Sequence, residues 1–320
     1  MFIGEIMCLF VFEFMKWRKS KNEYQPVAEV EDQPENQETI YDEIDAKAEL
    51  TGWKQVLFLI PTLCDLTATT LMNVGLIFVS ASIYQMLRGS VVLFTGIFST
   101  LFLGRKHPAY RWAALFVVFL GVAIVGLSSV FQASESAARP TSPIGVFLVV
   151  VAQGFTATQF VVEEKIMSKY SIEPLKAVGL EGFFGLFLTV AAVPILHFTL
   201  GVNGEPGNVF DMYEMYRQIM FPQVLWAGFG IMFSISIFNW CGLAVTQNIS
   251  ATSRSTIDTS RTMFIWMASL ALGWESFKSL QVVGFIVLIY GTFLFNDVVS
   301  PPFCLKPSVH LEEVEPVADN

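Results

Sequence analysis

The sequence predicts an all-α, polytopic membrane protein with nine transmembrane helices. Hydrophobic residues make up 53% of the 320 residues, and the mean hydropathy is +0.56, which is too apolar for a soluble domain. The apolar residues are gathered into runs close to the roughly 20 residues that cross a bilayer core. Two of these runs contain an interior arginine, which is Arg88 in the earlier run and Arg261 in the later one. Because charged residues inside a bilayer are costly, we expect these two to have a specific role.

The first apolar run covers residues 1–17 and ends at a basic cluster. We interpret it as a short first span, because a signal peptide would place its positive charge before the apolar run. Residues 18–52 are polar and acidic, which predicts a disordered cytoplasmic loop. A disordered cytoplasmic tail is predicted for 298–320. The eight further predicted spans, several of which start at a proline, are 54–76, 80–104, 110–130, 143–166, 174–200, 222–246, 250–274 and 279–297.

The distribution of cations predicts the orientation of the chain. Of the 19 lysines and arginines, 14 fall in the loops and tail on one side, Arg254 among them. Only Arg139, Arg217 and Lys278 fall on the other side. Because cytoplasmic loops are enriched in cations, the C-terminus is predicted to be cytoplasmic, and an odd number of spans then places Met1 on the opposite side.

Two pairs of similar segments predict an internal inverted repeat. MFIGEIMCLF resembles VGLEGFFGLF, which places Glu5 opposite Glu181, and VSAS at 79–82 matches ISAT at 249–252. One member of each pair enters the bilayer from each side, as in the inverted repeats of secondary transporters. Residues 1–130 would form a first repeat of four spans, and residues 143–297 a second repeat of five.

The longer motifs resemble the drug/metabolite transporter superfamily, and within it the F-type branch of solute carrier family 35. They are IPTLCDLTATTLMNVGL (60–76), SASIYQMLRGSVVLFTGIFSTLFLGR (80–105), VVEEKIMSKYSIEPLKAVGLEGFFG (161–185) and the SATSRSTIDTSRT…ALGWE region (250–275). The resemblance implies ten helices in two inverted five-helix repeats and transport by alternating access. This chain departs from the pattern by lacking the first helix and by its long acidic loop. The substrate does not follow from the fold.

Four charged residues are the main candidates for solute binding. Asp65 lies near the middle of its span, and a tight loop joins that span to the one with Arg88, so we expect these two to pair. Asp258 and Arg261 lie one helical turn apart on the same helix face. Two interpretations stay open: the charges form internal salt bridges that only hold helices together, or at least one arginine faces a cavity and binds an anion.

Polar side chains near these charges could complete a cavity or hydrogen-bond between helices. Tyr84, Gln85 and Gln159 are the best individual candidates. The wider set is Thr67, Thr69, Thr70, Asn73, Gln153, Thr156, Thr158 and Asn239.

Three glutamates are candidates for proton or gate residues. Glu163 and Glu164 end the fifth span, where a gate, a proton site or a solvated helix end would all suit them. Glu181 lies inside the sixth span and, with its repeat partner Glu5, could carry a proton in coupled transport.

Two Tyr-x-x-bulky segments lie in the acidic loop, Tyr24–Val27 and Tyr41–Ile44. They resemble adaptor-read sorting signals, although chance also explains such short patterns. Together with the family branch they favour a lysosomal, late endosomal or vacuolar membrane, with the Golgi as the alternative.

The sequence thus predicts a secondary transporter of a small polar, anionic solute, with no enzyme activity. It contains no pattern for a metal, cofactor or nucleic-acid site. The alternative is a scaffold or regulatory partner that kept the fold without transporting. Beyond the solute and the lipid bilayer, the expected partners are an adaptor or membrane protein bound through the acidic loop, and a second copy in a homodimer.

Overall fold

A computed structural model describes residues 1–22, 49–132, 142–201, 212–273 and 279–299 of the chain. These residues form a bundle of eleven α-helices, with a 3-10 helix at Gly52–Phe58 before α2 and a π-helical turn at His197–Gly201 after α7. The α-helices are α1 Phe2–Asn22, α2 Leu59–Phe78, α3 Ala81–Arg88, α4 Val91–Leu103, α5 Ala109–Gln132, α6 Pro143–Lys169, α7 Pro174–Leu196, α8 Met212–Ile219, α9 Pro222–Asn248, α10 Ala251–Ala271 and α11 Ser279–Phe295.

Each of the nine predicted spans is helical, which confirms the polytopic helical class. Within the described ranges, six helical segments are long and apolar enough to cross a membrane, and α11 is a shorter apolar helix. Helices α1 and α10 are more polar, because both carry charged side chains along their length. These two helices contribute several of the buried charged groups described below.

The predicted span 80–104 is interrupted, which corrects the expectation of one continuous helix. Helix α3 ends at Arg88 and α4 begins at Val91, with a tight turn in which the Gly89 amide donates to the Met86 carbonyl at 3.1 Å. A Cβ on Gly89 would lie 2.6 Å from the Leu288 Cδ2 of α11, so glycine allows this approach without displacing the leucine methyl group. Broken helices of this kind occur in membrane proteins where the backbone lines a cavity.

Packing pairs several helices that the predicted repeat relates to each other. Helix α1 packs against α7, α5 against α11, and both α3 and α4 against α10. Helix α2 packs mainly against α6, which also contacts α4. The division into two repeats at 1–130 and 143–297 stays a prediction.

The crossing of α1 and α7 depends on small residues. Gly179, Gly182 and Gly185 of α7 all face α1, three residues apart. A Cβ added at Gly182 would lie 2.6 Å from the Glu5 Cβ and 2.7 Å from the Ile6 amide nitrogen. Because backbone atoms cannot move aside, glycine is required here.

The sorting candidates Tyr24, Val27, Tyr41 and Ile44, most of the acidic loop and nearly all of the predicted tail lie outside the described residues.

Candidate functional site

A polar cavity of about 200 Å³ lies among the helices that carry the interior charges. Its walls come from α2, α3, α6, α9 and α10. Five of the seven predicted binding residues line it, namely Asp65, Arg88, Gln159, Asp258 and Arg261. The other lining residues are Met1, Thr69, Met72, Gln153, Thr156, Phe160, Ile235, Phe238, Asn239 and Arg254.

Helix α10 presents a charged stripe to this cavity. Arg254, Asp258 and Arg261 are spaced at i, i+4 and i+7, which places them on one face of the helix. Their helix begins at Ala251 and is preceded by Ser250, whose side-chain oxygen accepts from the Ser253 amide at 3.1 Å and so caps the N-terminus. The local sequence therefore fixes three charges in one line.

Asp258 is the shared partner of two arginines. It forms an ion pair with Arg261 on its own helix and a longer one, 3.8 Å, with Arg88 of α3. The Asp258 side chain is 6% exposed, while Arg88 and Arg261 keep 20% and 32% of their side-chain surface. Asp258 therefore holds both guanidinium groups without enclosing either of them.

The expected pair between Asp65 and Arg88 does not form. The Asp65 Oδ1 instead accepts a hydrogen bond from Thr69 of the same helix at 3.4 Å. The prediction was wrong because it considered only the tight α2–α3 loop, whereas α3 packs against α10 and thereby brings Arg88 to Asp258.

Arg254 is a cavity residue that the sequence analysis missed by counting it with the loop cations. It is 4% exposed and forms a buried ion pair with Glu163 of α6. Its guanidinium carbon lies 4.1 Å from the centroid of the Phe160 ring, a cation–π distance. The i, i+4, i+7 spacing with Asp258 and Arg261 was the signal that could have identified it.

A second aromatic ring lies against the other α10 arginine. The guanidinium carbon of Arg261 is 4.2 Å from the centroid of the Phe238 ring on α9. Aromatic faces beside guanidinium groups attract the cation without neutralising it. Each of these two α10 arginines is therefore packed against an aromatic ring as well as paired with a carboxylate.

The interpretation of Glu163 and Glu164 as a solvated helix end was wrong, since both are buried. Glu164 accepts from Arg105, beyond the end of α4, and from the Ala251 amide at the start of α10, at 2.8 Å. Glu163, the residue before Glu164, accepts a hydrogen bond from the Arg254 guanidinium group. The end of α6 is thereby tied to the start of α10 and to the loop before α5.

That loop carries a second polar cavity, about 180 Å³, which includes Arg105, His107 and Arg111 in its lining. Burial lowers the pKa of His107 below 6.5, and the nearby Arg111 and Arg105 lower it further. The His107 Nε2 contacts the Ser99 hydroxyl at 2.9 Å. These surroundings therefore favour the neutral form of the imidazole.

Other polar predictions divide into cavity residues and residues that bond their own helix. Thr67 and Thr70 donate to backbone carbonyls one turn earlier in α2. Tyr84 and Gln85 do not line the cavity, although the Arg88 guanidinium carbon lies 5.9 Å from the Tyr84 ring centroid. Of the wider set, the lining includes Thr69, Gln153, Thr156 and Asn239.

Glu5 and Glu181 are both buried, at 1% and 5% exposure. Both lie at the α1–α7 crossing, where Glu5 packs on Gly182, the residue after Glu181. The Asn239 amide donates to the Glu5 Oε1 at 2.5 Å, which connects this pair to the cavity wall.

The cavity lining combines hydrogen-bond donors with charged acceptors. Three guanidinium groups and several amides and hydroxyls supply donors, while Asp65 and Asp258 supply acceptors. Among the residues that the structure describes, no group of three or more His, Cys, Asp and Glu side chains is arranged to hold a metal ion.

Several known proteins similar to this chain are named as solute carriers or transporters. The model of the UAA transporter family matches residues 32–299. Solute carrier family 35 member F6 of Homo sapiens is 38% identical over 306 residues, covering 94% of this chain and 77% of that protein. The Mus musculus protein of the same name gives the same values.

More distant relatives carry nucleotide-sugar names. The UDP-N-acetylglucosamine transporter of Rattus norvegicus is 26% identical over 236 residues, covering 71% of this chain and 66% of that protein. The CMP-sialic acid transporter 1 of Arabidopsis thaliana is 29% identical over 170 residues, or 52% of this chain and 49% of that protein. Since the family match spans most of the chain and includes the helices around the cavity, this chain belongs to the UAA transporter family and is a relative of solute carrier family 35.

Proposed function

We propose that the chain is a secondary transporter that moves a small polar, anionic solute through the central cavity by alternating access. The observation that carries the proposal is the lining of this cavity, in which three arginines meet two aspartates. Guanidinium groups match the geometry of phosphate and carboxylate groups, which they bind through paired hydrogen bonds.

The arginines have different roles in this proposal. Arg88 and Arg261 share Asp258 and remain partly exposed, so an entering anion can displace one of them from the aspartate. Arg254 is fixed from behind by Glu163, while its side chain still reaches the cavity wall. Asp258 would hold the two mobile arginines when no solute is bound.

The size of the cavity favours a small solute. Its volume of about 200 Å³ is below the roughly 300–1,000 Å³ of pockets for drug-sized ligands. The distant relatives named for UDP-N-acetylglucosamine and CMP-sialic acid support a phosphate-bearing solute. A nucleotide sugar would require a more open conformation, whereas a smaller phosphorylated or carboxylated metabolite fits the present one.

The subcellular location of the protein is part of the same proposal. We place the chain in an endomembrane with the C-terminus in the cytoplasm, in a lysosomal, late endosomal or vacuolar compartment, and keep the Golgi as the alternative. The tyrosine-based segments at 24–27 and 41–44 and the cation distribution support this placement. The scaffold alternative is not favoured, since named relatives are transporters.

Flux into reconstituted vesicles tests the proposed function. The probes are radiolabelled inorganic phosphate, uridine monophosphate, UDP-N-acetylglucosamine and CMP-sialic acid. We expect uptake of at least one, and a loss of tenfold or more in an Arg88→Gln, Arg261→Gln double variant, because each charge-assisted hydrogen bond contributes about 1.5–3 kcal/mol.

Arg111→Gln is the matched control, because Arg111 is an arginine that pairs with an aspartate, Asp297, but does not line the cavity. Uptake should be retained in this variant. Equal uptake by the parent and the double variant would show that Arg88 and Arg261 do not bind the solute. Folded protein that takes up none of the four probes would contradict the proposed anion transport.

A further inference from the structure

Two carboxyl groups lie buried together where α1 crosses α7. Glu5 is 1% exposed and Glu181 is 5% exposed. The helices approach closely because Gly182 has no side chain, and a Cβ there would lie 2.6 Å from the Glu5 Cβ. Glu5 therefore packs against the residue next to Glu181, and the two buried carboxyl groups belong to the two crossing helices.

Each of these side chains has an oxygen with no hydrogen-bond partner. The Glu5 Oε1 accepts from Asn239 at 2.5 Å, but the Glu5 Oε2 and the Glu181 Oε1 are buried and unpartnered. Neither carboxyl forms an ion pair with any cation among the described residues.

The charged groups around the pair are mainly negative. Those that act on Glu5 or Glu181 are Asp65 of α2, Glu163 of α6, Arg254 of α10 and the amino group of Met1. Arg254 already forms an ion pair with Glu163. Two further ionised carboxylates would therefore be buried without a cation of their own.

Burial of two unpaired negative charges side by side is strongly unfavourable. A proton on either carboxyl removes one of these buried charges. We propose that Glu5 and Glu181 form a proton-binding site at the α1–α7 crossing. Asn239 fixes one oxygen of the pair by its hydrogen bond.

The second step of the proposal, which rests on the proposed function, links this proton to the solute. Asn239 bonds Glu5 and also lines the cavity, and Arg254 lies in the same wall. Protonation removes a negative charge next to the anion site and so strengthens anion binding, and by linkage the anion strengthens proton binding. Proton and anion then cross the membrane together.

Infrared spectroscopy of the purified protein tests the proton site without any solute. A protonated carboxylic acid has a C=O stretching band that a carboxylate lacks. We expect this band at neutral pH in the parent and its loss in a Glu5→Gln, Glu181→Gln double variant. Glu173→Gln is the matched control, because Glu173 is the exposed residue just before α7. An unchanged band in the double variant would overturn the proposal.

A second measurement on the unaltered chain covers the case in which the double variant does not fold. Protein labelled with carboxyl-¹³C glutamate should show the band shifted to lower frequency. A band that does not shift belongs to an aspartate such as Asp65, which would also overturn the proposal.

Vesicle flux separates this proposal from the proposed function. With an inward proton gradient we expect faster uridine monophosphate uptake by the parent than without the gradient, and no acceleration in the double variant. A double variant accelerated like the parent would refute the coupling. If none of the four probes crosses the membrane while the infrared band persists, anion transport fails and the proton site stands.

Discussion

At the residue scale, burial determines how strongly the loss of one partner of an ion pair affects the stability of the protein. Glu163 and Arg254 form a pair with side-chain exposures of 0% and 5%, whereas Arg111 and Asp297 form one with 31% and 44%. Exposed pairs contribute about 0–1 kcal/mol because water and salt screen them. A buried pair is different, because removing one partner leaves the other charged and unsolvated.

Glu163→Gln should therefore destabilise the protein by about 3–5 kcal/mol, by leaving Arg254 buried without its counter-ion. Adding Arg254→Gln should restore much of that loss, because the second change removes the unpaired charge. The measurement is the thermal unfolding temperature of the purified protein in detergent.

Asp297→Asn is the comparison variant and should lower the free energy of unfolding by no more than about 1 kcal/mol. If Glu163→Gln unfolded at the parent temperature, the Arg254–Glu163 pair would not be a buried contact. The Glu163→Gln, Arg254→Gln double variant should take up no solute in the vesicle assay even if its stability is restored, since Arg254 lines the cavity.

At the scale of elements, close helix contacts place the charged residues. Helix α1 lies directly on α7 because glycines face it at 179, 182 and 185. At the break between α3 and α4, Gly89 lies close to the Leu288 side chain of α11. Small residues at such crossings let backbones approach, and a larger side chain forces the helices apart.

Gly182→Ala should destabilise the bundle by about 1–3 kcal/mol, because its Cβ would meet the backbone of Ile6. Gly230→Ala is the matched control on α9, since a Cβ there meets no atom within 4 Å. We expect a clearly lower unfolding temperature for Gly182→Ala and little change for Gly230→Ala. Equal unfolding temperatures would contradict the close α1–α7 contact.

At the scale of the whole molecule, the orientation in the membrane follows from charge rather than from packing. The structure removes Arg254 from the loop cations, because this residue is buried within α10. The remaining loop cations still favour a cytoplasmic C-terminus. This orientation predicts that the end of α9 and the start of α10 lie on the cytoplasmic side.

Asn248 gives a direct test of this orientation. The segment Asn248-Ile249-Ser250 fits the N-glycosylation pattern, and Asn248 is exposed at the end of α9. We expect no glycan there when the chain is expressed in a glycosylating cell, so glycosidase treatment should leave its gel mobility unchanged. A mobility shift that disappears in Asn248→Gln would reverse the orientation.

The sequence by itself determined the membrane class, the helices and most of the polar residues of the cavity. Each span must satisfy its own backbone and bury a run of apolar side chains, so its presence is encoded locally. The interior positions of Arg88, Asp258 and Arg261 could also be predicted from the sequence, because a charged residue inside an apolar run is unusual and costly.

Only the tertiary structure decided which of these charges meet. Asp65 was expected to bind Arg88, but the packing of α10 against α3 brings Asp258 there instead. Glu163 looked like a solvated helix end, and Arg254 like a loop cation, until α6 and α10 buried them together. Ion pairing depends on distances between helices, and these distances are set by glycine contacts and helix breaks far apart in the sequence.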